Sequence, residues 1–228
     1  MTLSDQSYKD VLSKATISTD TVSKAKVAEV GKKIAASAET FMRENGMEKD
    51  LVNYKWEFNL IEDPTTVNAF CMPGGKIVVY TGILPVVKDE NGLATVMSHE
   101  VAHAIANHGG ERMSQELLVQ AGGMGLAQIT KSKPALAQQI LMQAYGAGSQ
   151  VGILLPYSRS HESEADHIGL ILMARAGYDP KTAVAFWERM SALGGTKPPE
   201  LLSTHPASAR RVADITKEIP EAEKYYKG

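Results

Sequence analysis

The chain has 228 residues, of which 43% are hydrophobic and 22% are charged, and its formal net charge is −2. This composition is typical of a folded globular protein and excludes a disordered one. The balanced charge provides no basic surface for phosphate groups, so we expect no nucleic-acid partner. The single cysteine, Cys71, excludes an internal disulfide and a cysteine-based structural zinc site.

The sequence shows neither a membrane span nor an export signal. It contains no uninterrupted run of about 18 apolar residues, so no membrane-spanning helix is expected. The first residues lack the charged region and the apolar run of a secretory signal. Composition leaves two possibilities open: a cytoplasmic protein, or an exported protein whose signal has been removed.

The first predicted elements are a helix and a small sheet. Hydrophobic periodicity predicts a helix over residues 21–45, which Gly46 ends. Residues 52–60 alternate strictly between apolar and polar side chains, which predicts a half-buried strand. Residues 67–80 are predicted to form a strand, a turn and a second strand. We expect these strands to make an antiparallel sheet.

The rest of the chain is predicted to be helical. One helix is expected from residue 90 or 91 to His108, where two glycines end it. The segment 111–155 is rich in Ala, Gly, Gln, Met and Leu, and Pro134 divides it into two predicted helices. Three more helices are predicted, over 160–176, 179–193 and 206–219.

Residues 99–103 read His-Glu-Val-Ala-His inside the helix predicted to end at His108. His99 and His103 lie four residues apart, so their Cβ atoms are about 5–6 Å apart on one helix face. This separation suits two imidazoles that bind one zinc ion at about 2.0–2.1 Å. Glu100 lies about 100° round the helix and can take a proton from a metal-bound water. A chance pattern is the alternative, but unpaired histidines on a buried helix would be costly.

A second segment offers a third metal ligand. Residues 158–166 read Ser-Arg-Ser-His-Glu-Ser-Glu-Ala-Asp. Glu162 and Asp166 share a helix face, so we expect Glu162 to bind the metal and Asp166 to accept the far N–H of a ligating histidine. Glu164 is the competing candidate, but it faces nearly the opposite side of the helix.

These motifs resemble those of the HtpX-like gluzincin metallopeptidases, a family that includes the CAAX prenyl proteases and the periplasmic BepA- and LoiP-type proteases. The resemblance covers about residues 50 to 215. It rests on four ordered motifs, Asn68–Gly82, His99–His103, Ser158–Asp166 and Thr204–Arg210. The expected fold is α+β, a mostly helical zincin-type domain with a small antiparallel sheet. We expect one domain over 1–228, with an N-terminal helical part over 1–50 and a core over 51–228 that carries a helical insertion, 111–155.

The resemblance implies one zinc ion per chain, held by His99, His103 and Glu162. It implies that Glu100 is the general base and that His205 and Arg210 lie near the metal. In the BepA-like branch, a histidine of this segment can approach zinc and keep the enzyme inactive. For His205 the alternative is a polar residue that precedes the helix-opening Pro206.

The implied activity is hydrolysis of peptide bonds in unfolded or misassembled envelope proteins. We expect an extended substrate to add to the strand edge at Asn68, Ala69 and Phe70 through backbone hydrogen bonds. The alternatives are a peptidase restricted to chain termini and a metal-stabilised chaperone or peptide-binding module. Glu100 argues against the module, because a structural zinc has no use for a base. The resemblance favours a periplasmic or outer-membrane-associated protein over a cytoplasmic one, with a lipid anchor as a further expectation.

Overall fold

A computed structural model describes residues 3–193 and 198–227 of the chain. Its contacts divide the chain into two compact units. The large unit comprises residues 1–106 and 163–228, and the small unit comprises residues 107–162. The small unit includes the predicted helical insertion, 111–155.

The described residues form ten α-helices and three strands. The helices are α1 (Leu3–Lys14), α2 (Thr21–Glu44), α3 (Leu84–Val87), α4 (Glu90–Ile105), α5 (His108–Thr130), α6 (Ala135–Ser149), α7 (Leu155–Arg175), α8 (Thr182–Ala192), α9 (Glu200–Thr204) and α10 (Ala209–Ala222). The strands are β1 (Glu57–Ile61), β2 (Ala69–Met72) and β3 (Lys76–Tyr80). The predicted α+β class with a helical majority is confirmed.

The sheet is mixed rather than antiparallel. Its strand order is β1-β3-β2, and β2 pairs with β3 antiparallel, as the predicted hairpin requires. β1 instead runs parallel to β3. After β1 the chain crosses the end of β3 and enters β2 at the opposite edge, so β3 runs in the direction of β1. The expectation of a wholly antiparallel sheet is therefore wrong.

The predicted strand over 52–60 is also shorter in the structure. Residues 48–53 form a short 3-10 helix, and β1 begins only at Glu57. Val52, at the start of the alternating segment, is 80% exposed. Tyr54 and Trp56, at alternate positions of the segment, pack against the core but are only half-buried, so alternation alone did not predict where the strand begins.

Helices cover both faces of the sheet. Ile77 and Val79 of β3 join the main core with α2 and α4, whereas Val78 joins a smaller cluster with Tyr8 of α1. Successive strand residues point to opposite faces, so burial on both sides explains why the three central residues of β3, Ile77 to Val79, are all apolar. α4, the helix that carries residues 99–103, packs against α2 and β2.

The small unit contains a helical hairpin of α5 and α6. The Tyr145 hydroxyl of α6 donates to the carbonyl of Val119 in α5 at 2.9 Å. A Cβ atom at Gly122 would collide with that hydroxyl, so a larger residue there would displace the Tyr145 side chain. Helix α7 follows a short π-helical segment and begins at Leu155, earlier than the predicted residue 160.

Candidate metal centre

Helix α4 presents the motif from a buried position. The Asp89 side chain accepts from the backbone N–H of Gly92 at 2.9 Å and caps the helix start. The helix ends at Ile105, before the predicted end at His108. Asn107 takes a left-handed conformation, with φ of 58°, and breaks the helix there. Asparagine tolerates this conformation. The prediction that the two glycines after His108 end the helix did not take Asn107 into account.

Three imidazoles converge at the middle of α4. The Nε2 atom of His99 lies 3.1 Å from Nε2 of His103 and 3.2 Å from Nδ1 of His205. Two ligands of a tetrahedral zinc ion, each about 2.1 Å from the metal, lie roughly 3.4 Å apart. The spacing of the three nitrogens therefore suits a single metal ion.

Glu162 completes the group of possible metal ligands. The ligand atoms of His99, His103, Glu162 and His205 all lie within 4.8 Å of one another. Glu162 is the last residue of the small unit, but it belongs to the continuous helix α7, one turn before Asp166. Glu164 is exposed and lies outside the group.

Asp166 orients the first imidazole. Its Oδ1 atom lies 3.1 Å from Nδ1 of His99, so that N–H can donate to the carboxylate and Nε2 remains available for a metal. Burial alone would raise the pKa of Asp166. The hydrogen bond from His99, and the charge and hydrogen bonds of Arg211, outweigh burial, so the pKa is lowered and the carboxylate stays ionised.

Arg211 is a site residue that the sequence reasoning missed. Its Nε and Nη2 atoms donate to the two oxygens of Asp166 at 2.7 and 2.8 Å. The guanidinium also lies 3.7 Å from the ring centroid of Trp187, whose ring meets His99 edge-on. Both side chains are buried, and the Nη2 atom of Arg211 also lies 3.3 Å from Nε2 of His99, so Arg211 and Trp187 enclose the Asp166–His99 pair.

Arg210, which the family resemblance predicts near the metal, does not lie beside this group of ligands. Its side chain is 90% exposed and pairs with Asp214 at 3.6 Å. Consecutive helix residues point about 100° apart, so only one of the two arginines can face inward. The buried stripe of Ile215 and Ile219, continued back by one turn, leads to Arg211. This periodicity in the sequence predicts that Arg211, rather than Arg210, faces inward.

Glu100 is buried beside the same group of ligands. Its Oε1 atom lies 3.5 Å from Nε2 of His205. Burial raises the pKa of the Cys71 thiol in β2, and the Glu100 charge raises it further. Strand β2 thus passes close to the Glu100 side of α4.

His205 follows α9, and its N–H donates to the carbonyl of Leu201 at 2.8 Å. The N–H of Leu201 in turn donates to the carbonyl of Val67, just before β2, at 3.3 Å. These two bonds hold the segment so that the His205 ring lies among the ligands of α4. The structure thus brings His205 together with His99, His103 and Glu162.

Residues 24–219 match the profile described as Peptidase family M48. The chain belongs to peptidase family M48. This match confirms the family resemblance drawn from the four motifs, and the metal centre described above lies within the matched residues.

Three relatives show how far the similarity of this M48 chain extends. It is 37% identical over 179 residues to the mitochondrial metalloendopeptidase OMA1 of Saccharomyces cerevisiae, covering 75% of the chain and 49% of the relative. It is 42% identical over 171 residues to the OMA1 protein of Schizosaccharomyces pombe, covering 74% and 48%. The beta-barrel assembly-enhancing protease of Escherichia coli is 30% identical over 154 residues, covering 65% and 31%. The chain spans about half the length of the first two.

Strand β2 is an edge strand in the sheet of the M48 chain, with Ala69 buried and the residues after it half-buried. Antiparallel pairing with β3 uses the backbone groups of Asn68, whose carbonyl accepts from Tyr80, and of Phe70. The backbone N–H and C=O groups of Ala69 and Cys71 point to the opposite, outer edge, because these groups alternate in direction from one residue to the next along a strand. The Asn68 side chain already accepts from the N–H of Ala69 at 2.9 Å.

Among the residues that the structure describes, no helix combines the length and the apolar character needed to cross a bilayer.

Proposed function

We propose that this chain is the peptidase part of a zinc-dependent metalloendopeptidase. One observation carries the proposal: three imidazoles and a carboxylate offer ligand atoms within 4.8 Å of one another, with Glu100 buried beside them. Membership of family M48 supports it, as does the word metalloendopeptidase in the names of the OMA1 relatives.

The donor set fits zinc. Imidazole nitrogens together with a carboxylate suit zinc better than calcium or magnesium, which prefer oxygen ligands alone. His99 would bind through Nε2, because its Nδ1 faces Asp166 at 3.1 Å. Bound zinc supplies Lewis acidity toward water and toward the carbonyl of the scissile peptide bond.

The side chains around the ligands have separate roles in the proposed reaction. The Glu100 carboxylate accepts a proton from the attacking water and returns it to the leaving amine. Asp166, held by two hydrogen bonds from Arg211, keeps the N–H of His99 directed away from the metal. The protein thus provides a base and a fixed ligand orientation.

An extended polypeptide is the proposed substrate. A substrate strand would add to the outer edge of β2, where the carbonyl of Ala69 and the backbone groups of Cys71 point outward. Because the backbone groups of Asn68 and Phe70 face β3, we assign the substrate contact to their neighbours Ala69 and Cys71. Backbone pairing tolerates many side chains, which suits a protease that acts on unfolded segments.

His205 lies where a fourth ligand would bind, and we assign it an inhibitory role. A catalytic zinc site keeps one position open for water or substrate. Because the Nδ1 atom of His205 lies 3.2 Å from Nε2 of His99, the imidazole would take that position when zinc is bound. Peptide hydrolysis then requires that His205 leave the metal, so the basal activity should be low.

Digestion of casein tests the proposal, with wild type beside Glu100→Gln and with bound metal quantified in both. We expect about one zinc ion in each protein and cleavage by wild type alone. If neither protein cleaves, His205→Ala decides between the alternatives. A gain of activity in that variant supports a peptidase blocked by His205, whereas continued silence with zinc bound favours a peptide-binding module.

For the biological role, we propose removal of unfolded or misassembled envelope proteins by a periplasmic or outer-membrane-associated protease. The name of the Escherichia coli relative, beta-barrel assembly-enhancing protease, supports this role. The OMA1 relatives carry the word mitochondrial in their names, which makes a mitochondrial location the alternative. Fractionation of the source cells with an antibody against the chain distinguishes the two locations.

A further inference from the structure

We infer that the large unit carries a second metal site, formed by His167 of α7 with Glu218 and Glu221 of α10. Each of the three side chains offers one ligand atom, and these atoms lie within 4.8 Å of one another. None of them belongs to the catalytic group. The site would bind a divalent transition metal ion such as zinc.

The positions of the three residues bring them to one surface. Glu218 and Glu221 are three residues apart on α10, so their side chains are neighbours on the helix. His167 approaches from α7, and its Nδ1 atom lies 2.7 Å from a carboxylate oxygen of Glu218. Ligands of a tetrahedral zinc ion lie roughly 3.4 Å apart, so only small rotations of the glutamate side chains are needed.

The charge at this surface also favours a cation. Two carboxylates at this spacing repel each other, and one imidazole cannot balance both. One adjacent basic residue, Lys217, donates to Asp214 at 2.7 Å instead. A divalent ion would neutralise both glutamates, with water completing its coordination.

The ligand chemistry selects the class of metal. Calcium and magnesium prefer sites made of oxygen atoms, whereas an imidazole nitrogen favours zinc, nickel, cobalt or copper. Half-exposed side chains leave the site open to ions from solution, since His167 and Glu218 are 39% and 41% exposed. We therefore expect an exchangeable ion that binds more weakly than the catalytic metal.

The proposed ion would join two helices that also hold the catalytic ligands in place. Asp166 precedes His167 on α7, and Arg211 lies two turns before Glu218 on α10. The ion would therefore cross-link α7 and α10 along the contact that the Asp166–Arg211 pair already makes. Binding to the folded state alone raises thermal stability, so zinc should raise the unfolding temperature as this site fills.

Equilibrium dialysis of the full chain against a series of zinc concentrations, with metal content measured by atomic spectroscopy, tests the inference. We expect His167→Ala and Glu221→Gln to bind one ion fewer than wild type at saturation. Glu188→Gln removes an exposed carboxylate from α8 and should bind as many ions as wild type. The test compares the number of ions bound by wild type with the number bound by each variant. Its result therefore does not depend on how much zinc the catalytic site contains.

Thermal unfolding provides the second measurement. Wild type and Glu188→Gln should gain stability over the zinc range in which the additional ion binds, and the two site variants should not. The inference is overturned if wild type binds no additional ion, if both site variants retain it, or if Glu188→Gln loses it as well. Should His167→Ala fail to fold, Glu221→Gln decides alone, because its altered side chain is exposed.

Discussion

At the scale of single residues, the proposed metal ligands depend on the guanidinium of Arg211, which is not itself a ligand. Arg211 donates two parallel hydrogen bonds to Asp166, which in turn holds His99. Lysine has a single ammonium group and cannot reproduce this planar pair of bonds. We expect Arg211→Lys to weaken zinc binding by roughly 10- to 100-fold and to lower peptide hydrolysis accordingly.

Arg210→Lys is the matched control for that substitution. The same change of residue type occurs one position earlier, on a side chain that is 90% exposed. Zinc affinity, measured by competition with a chelator, should be unchanged in this control. An equal loss of zinc affinity in the two variants would show that a change in helix α10, rather than in the Asp166–Arg211 pair, is responsible.

The same two arginines show what the sequence could and could not predict at this scale. His99, Glu100 and His103 are close in sequence, and helix geometry alone predicts their arrangement. Arg211 reaches its place only through the packing of α10 against α7. The stacking of Arg211 on Trp187 depends on a third helix, α8, and neither motif nor periodicity specifies that contact.

At the scale of secondary-structure elements, a glycine sets the distance between α7 and α4. A Cβ atom at Gly169 would lie 3.2 Å from the Cα and N atoms of His99, which is closer than ordinary van der Waals contact. Gly169→Ala should therefore displace α7 by a few tenths of an ångström and disturb the ligands on both helices. We expect a loss of roughly three- to tenfold in peptide hydrolysis.

Gly125→Ala, in α5, is the control for Gly169→Ala. Nothing lies within 4 Å of the added Cβ atom there, so the substitution changes only helix propensity. Activity should stay at the wild-type level, and local helix stability should rise by about 1 kcal/mol. Unchanged activity in Gly169→Ala would contradict the proposed close packing of α7 on α4.

The turn between β1 and β2 gives a prediction about pH. Asp63 accepts hydrogen bonds from the hydroxyl groups of Thr65 and Thr66, each at 2.7 Å, and from their backbone N–H groups. These bonds lower its pKa from 3.8 to about 2. Because the pKa is lower in the folded state, ionised Asp63 stabilises the fold above about pH 4. That stabilisation is lost as the pH falls through about 2.

Asp63→Asn removes the charge and tests this dependence. The difference in unfolding free energy between wild type and the variant should be largest above about pH 5 and shrink as the pH approaches 2. Denaturant unfolding at a series of pH values measures it. A difference that stays constant between pH 5 and pH 2 would mean that the Asp63 charge does not contribute.

The sequence predicted the existence of most elements better than their ends and directions. The apolar stripe of α2 gave the helix almost to the residue, because its burial follows a simple period. The direction of β1 depends on where the chain crosses the sheet, which no local pattern records. The end of α4 depends on the left-handed conformation of Asn107. Asparagine has only a weak preference for that conformation, so the sequence does not predict it.

At the scale of the whole molecule, the two units differ in how they bury apolar side chains. Every hydrophobic side chain that is fully buried among the described residues lies in the large unit. The small unit instead exposes many large apolar side chains, Met113, Leu117, Leu118, Met124, Ile129, Leu136, Ile140, Leu141, Val151, Ile153, Leu155 and Tyr157. Its helices therefore rest on few buried apolar contacts, and such regions open locally at low cost.

Hydrogen exchange should reveal this difference in the isolated chain. We expect backbone amides of α5 and α6 to exchange at least about tenfold faster than those of α4, which corresponds to about 1.4 kcal/mol less opening free energy. Mass spectrometry of peptides over 113–149 and 93–105 provides the comparison. If the two sets exchange equally slowly, the exposed apolar side chains must be covered in solution. Repeating the measurement at lower protein concentration would then show whether a second copy covers them, because protection by self-association is lost on dilution.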